Sequence, residues 1–490
     1  MTLRHSPCAR AVIHRIGKQQ GAAYFALCRV PHWPAARQWT RTLMTRTPAP
    51  TARFLPALAL ETVPRYTSYP PATRFHGGVT SADWSGWMSD LPENPRVSLY
   101  LHIPFCRSMC WYCGCNTTIP NKDDRVARYL EVLHAEIDLR ANDLPAGAVV
   151  NHIHFGGGSP DMLSPERFAA IMERLRASYS IAADAEIAVE LDPRGITPEL
   201  ADAMAANGVT RASLGVQDLS DEVQVLIHRV QPESVVRAAV DTLRQAGINA
   251  INMDVMYGLP AQTVERVEAT SRIVAAMKPD RVAVFGYAHV PWFKKHQKAI
   301  PEDRLPGAQE RFEQMLAAGA VFSAAGFGAV GFDHFARPGD PLAQACASGQ
   351  LSRNFQGYTD DDYDVLIGLG ASAISDTGAG FVQNEPDPVH YATRMTDRRS
   401  AIVRGVSRSA EDHVISDRIE RLMCRFELDL PAADLPEASE RLADLEALEL
   451  VKIDATGLRV TQAGRPYVRN IAARLDPAFT PSTGQHSQAV

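Results

Sequence analysis

Cys106, Cys110, Cys113 and Cys115 lie in the stretch YLHIPFCRSMCWYCGCN, residues 100–116, so four of the chain's eight cysteines fall within ten positions. Cys8, Cys28, Cys346 and Cys424 are scattered singly. In a reducing compartment such a group binds metal or does catalysis rather than forming disulfides. Four thiolates could close a tetrahedral zinc site, but structural zinc usually draws two pairs from separated knuckles, and here all four share one short loop. An iron–sulfur cluster suits the spacing better: thiolates are its usual ligands, and three from one loop leave one iron open to a small molecule. A group of exposed thiols with no such role would oxidise.

Other stretches could serve the same chemistry. HFGGGSPD, residues 154–161, carries three successive glycines that let backbone approach a ligand closely. Glu190, in VELDPR, is either half of an ion pair with Arg194 or a carboxylate placed to accept from hydroxyls. Lys294, Lys295, Arg337 and Arg353 lie after the sixth predicted strand, where a basic pocket for an anion could form. Arg337, within DHFARP, is the strongest of the four. His102, His152 and His154 fall inside predicted strands and read as hydrogen-bonded core residues rather than ligands.

These residues need a frame. Strand-like runs at 97–105, 149–155, 186–192, 211–217, 251–257 and 281–289 alternate with amphipathic helical segments at 125–140, 165–179, 233–247 and 265–278. Six strand–helix units imply parallel strands joined by right-handed crossovers, in an α/β, partial (β/α)6-type, TIM-like barrel with its active site at the carboxyl ends of the strands. Several runs are apolar almost throughout, as in sheets covered on both faces. The cysteine loop follows the first strand and so sits on that edge. After about residue 290 the pattern loosens into Gly-rich and acidic loops. Residues 442–472 read as helix, short hairpin, helix, which makes the C-terminal part a mainly helical, winged-helix-like domain. The expected division is a basic, disordered extension over 1–59, a segment leading into the barrel over 60–96, the barrel and following substrate loops over 97–400, an accessory domain over 401–475 and a disordered tail over 476–490.

Composition narrows the function. A 490-residue chain that is 46% hydrophobic buries a large core and splits into more than one domain. No apolar run is long enough to cross a bilayer and the start lacks the order of a signal peptide, which points to a cytoplasmic protein with no membrane partner. Residues 1–60 hold nine Lys or Arg and no Asp or Glu, leaving 41 basic against 56 acidic side chains in the rest, a net of −15. That acidic body disfavours nucleic acid while allowing a local basic pocket. The arginine-rich start reads as a disordered extension, translated upstream of a real start near Met44, in preference to a transit peptide. Removing residues 1–43 is expected to leave activity intact.

The CX3CX2C pattern after a first barrel strand is similar to that of radical S-adenosylmethionine (SAM) enzymes. Together with YLHIPFC, the extra cysteine in CGC, RYTSYP at 65–70, DHFARP at 333–338 and RNFQGYT at 353–359, the chain from about 60 to about 475 resembles the oxygen-independent coproporphyrinogen III oxidase (dehydrogenase) family. The resemblance implies a radical SAM barrel in which Cys106, Cys110 and Cys113 hold a [4Fe–4S] cluster whose fourth iron takes SAM. A 5′-deoxyadenosyl radical then removes a hydrogen from a substrate propionate, and loss of CO2 and one electron leaves a vinyl group. Two propionates of coproporphyrinogen III are processed to give protoporphyrinogen IX. Cys115 lies beyond the ligand set, with a role in proton or electron transfer, at a second SAM, or in packing.

By the same resemblance Gly157, Gly158 and Ser159 meet the methionine end of SAM, Glu190 accepts from its ribose, and Tyr100, Tyr112, Gln217, Arg229, Asp254, Ala288 and Ile374 match positions used around SAM. Where the family has GGGTPT this chain has Ser159 and Asp161; serine keeps a hydroxyl, while aspartate brings a charge. Tyr112 could equally be an aromatic shield against water. The expected partners are coproporphyrinogen III, an electron donor and an electron acceptor, with the protein a monomer. A haem chaperone on the same scaffold and a winged-helix regulator with a sensor cluster are the competing readings. The RYTSYP and fourth-cysteine features weigh against the first, and the acidic body against the second.

Overall fold

A computed structural model describes residues 52–397 and 400–480; the expectations for 1–51 and 481–490 lie outside the described residues. Six strands follow one another in the expected rhythm: β1 (Arg96–Ile103), β2 (Val149–Gly157), β3 (Ile181–Leu191), β4 (Arg211–Gln217), β5 (Ala250–Tyr257) and β6 (Arg281–Gly286). They lie side by side in chain order and pair in parallel. The linking helices start where local chemistry allows. Ser164, Thr197 and Thr263 each accept a backbone N–H of the first turn, and Pro165 and Pro198 occupy helix starts where a missing N–H costs nothing.

The strands are not apolar on both faces. In β1, Val97, Leu99, Leu101 and Ile103 are almost fully buried in the core beneath the helices. The alternate residues Ser98, Tyr100 and His102 carry polar groups onto the other face, toward Asp361, His154 and Gly157 respectively. The same period of two puts His154, Glu190, Ser213 and Asp254 in the barrel interior. The lumen is therefore polar, and the hydrophobic core lies outside it.

The sheet continues past both edges of the six-strand unit. The hairpin β7 (Gly328–Val330) and β8 (His334–Ala336) adds antiparallel to β6. A separate two-stranded hairpin, β9 (Ser352–Asn354) and β10 (Gly357–Thr359), lies in the stretch expected to be loops. At the other edge β11 (Val365–Leu369) pairs in parallel with β1, followed antiparallel by β12 (Ile374–Asp376), β13 (Gly380–Asn384) and β14 (Ile402–Ser407).

Three expected boundaries move. The strand β14 belongs to the large sheet, so the accessory domain begins with the helix Ala410–Arg425, whose capping box is built by Ser409 and Asp412, rather than at 401. Residues 52–59 are not part of a disordered extension: the short helix Pro56–Ala59 buries Leu58 and Ala59 in the C-terminal core, and Phe54 packs on Phe312. Asp476 is not in a free tail, because it is buried and accepts hydrogen bonds from Tyr66 and Tyr69. The segment leading into the barrel thus joins both bodies. Val63, Tyr66 and Tyr69 enter the C-terminal core, while Trp84 is buried in the barrel core and donates to Asp143 at 2.8 Å. The C-terminal domain itself is the expected helix Leu435–Ala447, hairpin Val451–Val460 and helix Val468–Leu475.

Candidate active site

The loop after β1 is pinned at its two ends. Cys106 N–H donates to the Thr118 carbonyl at 3.1 Å, and Thr118 N–H returns to Pro104 at 2.8 Å. From the far side of the barrel Gln297, buried on the helical turn Lys295–Ala299, donates to the carbonyls of Tyr112 and Ala288, while His296 donates to that of Cys113 at 2.8 Å. Lys294 donates to the Cys115 carbonyl at 2.9 Å, so its ammonium serves the loop; Lys295 is exposed.

The thiols lie in different surroundings. Cys110 is buried and within reach of Arg229 Nη1 at 3.5 Å and Arg194 Nη2 at 3.9 Å. Arg229 also donates to Asp192 and to the Gly215 carbonyl. Hydrogen bonds from Cys115 bring Cys113 down to about 6 against its burial, with His296 and Lys294 assisting. Burial pushes Cys106 up to about 12, partly opposed by Thr117, whose Oγ1 lies 3.1 Å from its sulfur. Cys115 is exposed, and its contact with Cys113 holds its thiol well above the ordinary value.

Opposite this loop the end of β2 leaves no room for side chains. A Cβ at Gly156 would stand 2.9 Å from Glu190 Oε2 and 3.0 Å from the Tyr100 ring. At Gly157, whose φ is +113°, it would strike the His102 ring at 2.7 Å, and at Gly158 it would lie 2.5 Å from the Phe105 carbonyl. Bare backbone forms this wall. Ser159 is buried, its N–H donating to Phe105 and its hydroxyl to Asp161. Burial drives Asp161 up to about 6, and Arg107, 2.5 Å away, opposes this. The aspartate that departs from the family pattern thus faces its own arginine.

Deeper in the lumen Glu190 accepts from His154 Nε2 at 2.9 Å and from Gly157 N at 3.4 Å. Burial works to raise its pKa, yet these donors hold it below the ordinary carboxylate range, so it is an anion. The expected alternative fails: Arg194 pairs with Asp192 instead. Tyr100 stacks on His154 with centroids 5.8 Å apart and donates to His102 Nδ1, while His102 Nε2 donates to the Asn116 carbonyl. His102 and His154 therefore position other groups, and His152 sits 3.6 Å from Asp361. Asp254 accepts from Asn252 at 2.9 Å and is raised to about 6 by burial and by Glu190. Gln217 ends β4 at a positive φ of +64° beside Gly215, and Ile374 starts β12 against Gly368.

Arg337 does not join them. Its N–H donates to Asp280 and its Nε to Pro279, just before β6, and its guanidinium lies 4.5 Å above Phe327. That is the amino end of the strand, opposite the cysteine loop. The conspicuous DHFARP stretch instead contributes Asp333 and His334 to the mouth. Sequence reading passed over Asp192, His296 and Gln297; polar residues crowded after the sixth strand in KKHQK were the available signal.

Residues 100–274 match the model of the radical SAM superfamily. A protein of Bradyrhizobium diazoefficiens named oxygen-independent coproporphyrinogen III oxidase is 44% identical, the match covering 88% of this chain and 98% of that protein. One of the same name from Escherichia coli is 38% identical, covering 84% and 92%. The solved structure of the Escherichia coli coproporphyrinogen III oxidase, described as a radical SAM enzyme, superposes with a TM-score of 0.81 at 37% identity, over 85% of this chain and 98% of that one.

Proposed function

Because the chain belongs to the oxygen-independent coproporphyrinogen III oxidase family of radical SAM enzymes, we propose that the site described above carries out the oxidative decarboxylation of two propionates of coproporphyrinogen III to vinyl groups, giving protoporphyrinogen IX. The observation that carries this reading is the convergence of the cysteine loop, the side-chain-free wall Gly156–Gly158 and the anionic Glu190 on one rim of the barrel.

The residues present suit the cofactors of this family. Cys106, Cys110 and Cys113 would hold a [4Fe–4S] cluster, with Arg229 and Arg194 offsetting negative charge at Cys110. Gly157, Gly158 and Ser159 would lie along the amino-acid part of SAM, Glu190 would accept from its ribose, and Tyr100, Tyr112, Gln217, Arg229, Asp254, Ala288 and Ile374 would complete the binding surface. When bound, cluster and SAM together supply a radical able to take hydrogen from an unactivated carbon. The chain's own part is placement. His154 keeps Glu190 charged and aimed, Gln297 ties the cluster loop to the end of β6, and the burial of Cys110 excludes water. Cys115, exposed beside Cys113, is free of backbone duties at its sulfur and is read as a catalytic thiol.

The electron donor and electron acceptor are external partners. The chain is read as a cytoplasmic monomer: one chain supplies every residue of the site, no described helix is long and apolar enough to cross a membrane, and the acidic body disfavours nucleic acid. The barrel and the C-terminal domain are read as one working unit, with the latter covering the substrate.

Reduced, anaerobically reconstituted protein given SAM, an electron acceptor and coproporphyrinogen III is expected to release CO2 and 5′-deoxyadenosine and to form a monovinyl intermediate before protoporphyrinogen IX. Serine at Cys106, Cys110 or Cys113 should abolish cluster absorption and turnover, while Cys115→Ser should keep the cluster and lose most turnover. SAM cleavage and haem binding with coproporphyrinogen III left unchanged would overturn the reading in favour of a haem chaperone.

A further inference from the structure

The substrate of the proposed reaction carries four carboxylates, and the one arginine that sequence reading favoured for them lies at the wrong end of the barrel. Four other arginines, from four distant parts of the chain, bear on one another electrostatically near the rim. Arg65 comes from RYTSYP, Arg311 from the helix Ala308–Ala324, Arg353 from β9 and Arg469 from the C-terminal helix Val468–Leu475.

Their meeting place is the rim beyond β5 and β6. Arg311 Nη2 donates to the carbonyl of Tyr287, one residue past the end of β6, and the arginine's stem fills the space beside Gly258, just after β5. The guanidinium carbon of Arg353 lies 4.5 Å from the centroid of the Tyr358 ring and 5.1 Å from that of Phe332. The aromatic faces orient a guanidinium while leaving its N–H edge free for a planar anion. Those edges are not used up: Arg353 Nε and Nη1 and Arg311 Nε are buried with no hydrogen-bond partner among the described residues. A buried donor left unmade is costly, and a charged one more so.

The charges are close enough to oppose one another. Burial lowers Arg65, with Arg353 adding to the effect, and lowers Arg311, with Arg65 adding. Arg469 falls to about 10, through burial and then Arg65 and Arg353. Asp333 is the carboxylate that bears on Arg65, Arg353 and Arg469, and its Oδ1 is also engaged by His334 Nδ1 at 2.6 Å. Glu420, which accepts from the Arg353 backbone N–H at 3.3 Å, is a further acid beside β9. His334 packs edge-on against Phe285 of β6, and its charge bears on Asp254 in the lumen, so this cationic chamber adjoins the space that holds Glu190 and Asp254.

We propose that Arg311 and Arg353, with Arg65 beside them, bind carboxylates at the substrate site, gripping propionates of the tetrapyrrole that are not at the reacting centre. This deepens the proposed function and rests on it for the identity of the ligand. Paired N–H groups on a guanidinium match a carboxylate in two-pronged fashion, and a low-dielectric surrounding makes each such pair strong. The separation of roles is electrostatic. Glu190 and Asp254 make the lumen unfavourable to a carboxylate, so the arginines supply the attraction that brings the molecule in.

The test uses full-length, cluster-reconstituted protein and two probes of one skeleton: coproporphyrin III, with four free carboxylates, and its tetramethyl ester. Binding is followed by porphyrin fluorescence. The wild-type chain should prefer the free acid by tenfold or more, and the preference should shrink with salt. Arg353→Gln and Arg311→Gln should each weaken free-acid binding by roughly ten- to a hundredfold and leave ester binding unchanged, with iron and sulfide content as in the wild type. Should either variant fail to fold, Arg65→Gln carries the same expectation. Folded variants whose free-acid affinity stays within twofold of wild type would overturn the proposal, even if coproporphyrinogen III is turned over normally. Arginine-dependent binding of the acid by a protein that never converts coproporphyrinogen III would support the chamber and overturn the activity instead.

Discussion

The two ends of the barrel lumen treat charge in opposite ways. At the amino ends Arg211 pairs with Glu186 at 3.2 Å and with Asp340 at 3.3 Å, and Arg281 pairs with Asp340 at 2.6 Å and Asp360 at 3.3 Å. Ser98 and His152 engage Asp361 nearby. Each buried cation there has two acids within reach, and the network closes the floor. At the carboxyl ends Asp254 is raised to about 6, Glu190 keeps its charge through a histidine and a backbone N–H, and the arginines of the rim share Asp333. Matched charge marks a structural layer, and mismatched charge marks a surface built for something else to complete.

Paired substitutions at the two ends sharpen the contrast most. Glu190→Gln keeps the shape of the side chain but removes the charge, and should lower SAM cleavage roughly ten- to a hundredfold while the melting temperature moves little. Arg211→Gln strands Glu186 and part of Asp340 in the floor, and should cost about 3 kcal/mol of stability in a denaturant titration. Its SAM cleavage per folded molecule should match the wild type. If the two variants exchanged phenotypes, the division between floor and mouth would be wrong.

A smaller effect is expected at Arg337. Its stacking on Phe327 and its bond to the Pro279 carbonyl make Arg337→Ala a stability change of about 1 kcal/mol. KM for coproporphyrinogen III should not change; a several-fold rise would return this residue to the substrate pocket.

The smallest effect concerns pH. Asp254 protonates near 6 in the folded chain, against the ordinary 3.8, because burial and Glu190 disfavour its charge. The folded state therefore binds more protons than the unfolded state between those values, so this group's cost is absent below about pH 4, grows as pH rises to 6 and is complete above it. It amounts to about 1–3 kcal/mol. Asp254→Asn can keep the partners Asn252 and Ser213 while removing the titration, and should flatten the stability profile between pH 4 and 6. An unchanged profile would show that Asp254 titrates normally.

The sequence alone carried everything that depends on near neighbours. The alternation of strand and helix rests on side-chain periodicity within windows of ten or so residues, so the six strands and the four longer linking helices were legible, while the early start of β3 at Ile181 and the helices Pro198–Ala206 and Asp221–Leu226 were not. The cysteine loop was legible for the same reason: three thiols within eight positions must end up close in any fold. The structure alone decided the rest. The polar face of β1 could not be told from the buried one without knowing that helices cover only the outer side. Asp476 reads as tail until Tyr66 and Tyr69, more than four hundred residues away, are seen to donate to it. DHFARP looked like a substrate contact because it is conspicuous, yet hairpin direction carries Arg337 to the floor and Asp333 to the mouth. Of the rim arginines only Arg353 stood among the basic residues picked out after the sixth strand; its partners, tens to hundreds of positions away, leave no local pattern that joins them. Electrostatics depends on distance in space, and only the crossing of the chain sets that distance.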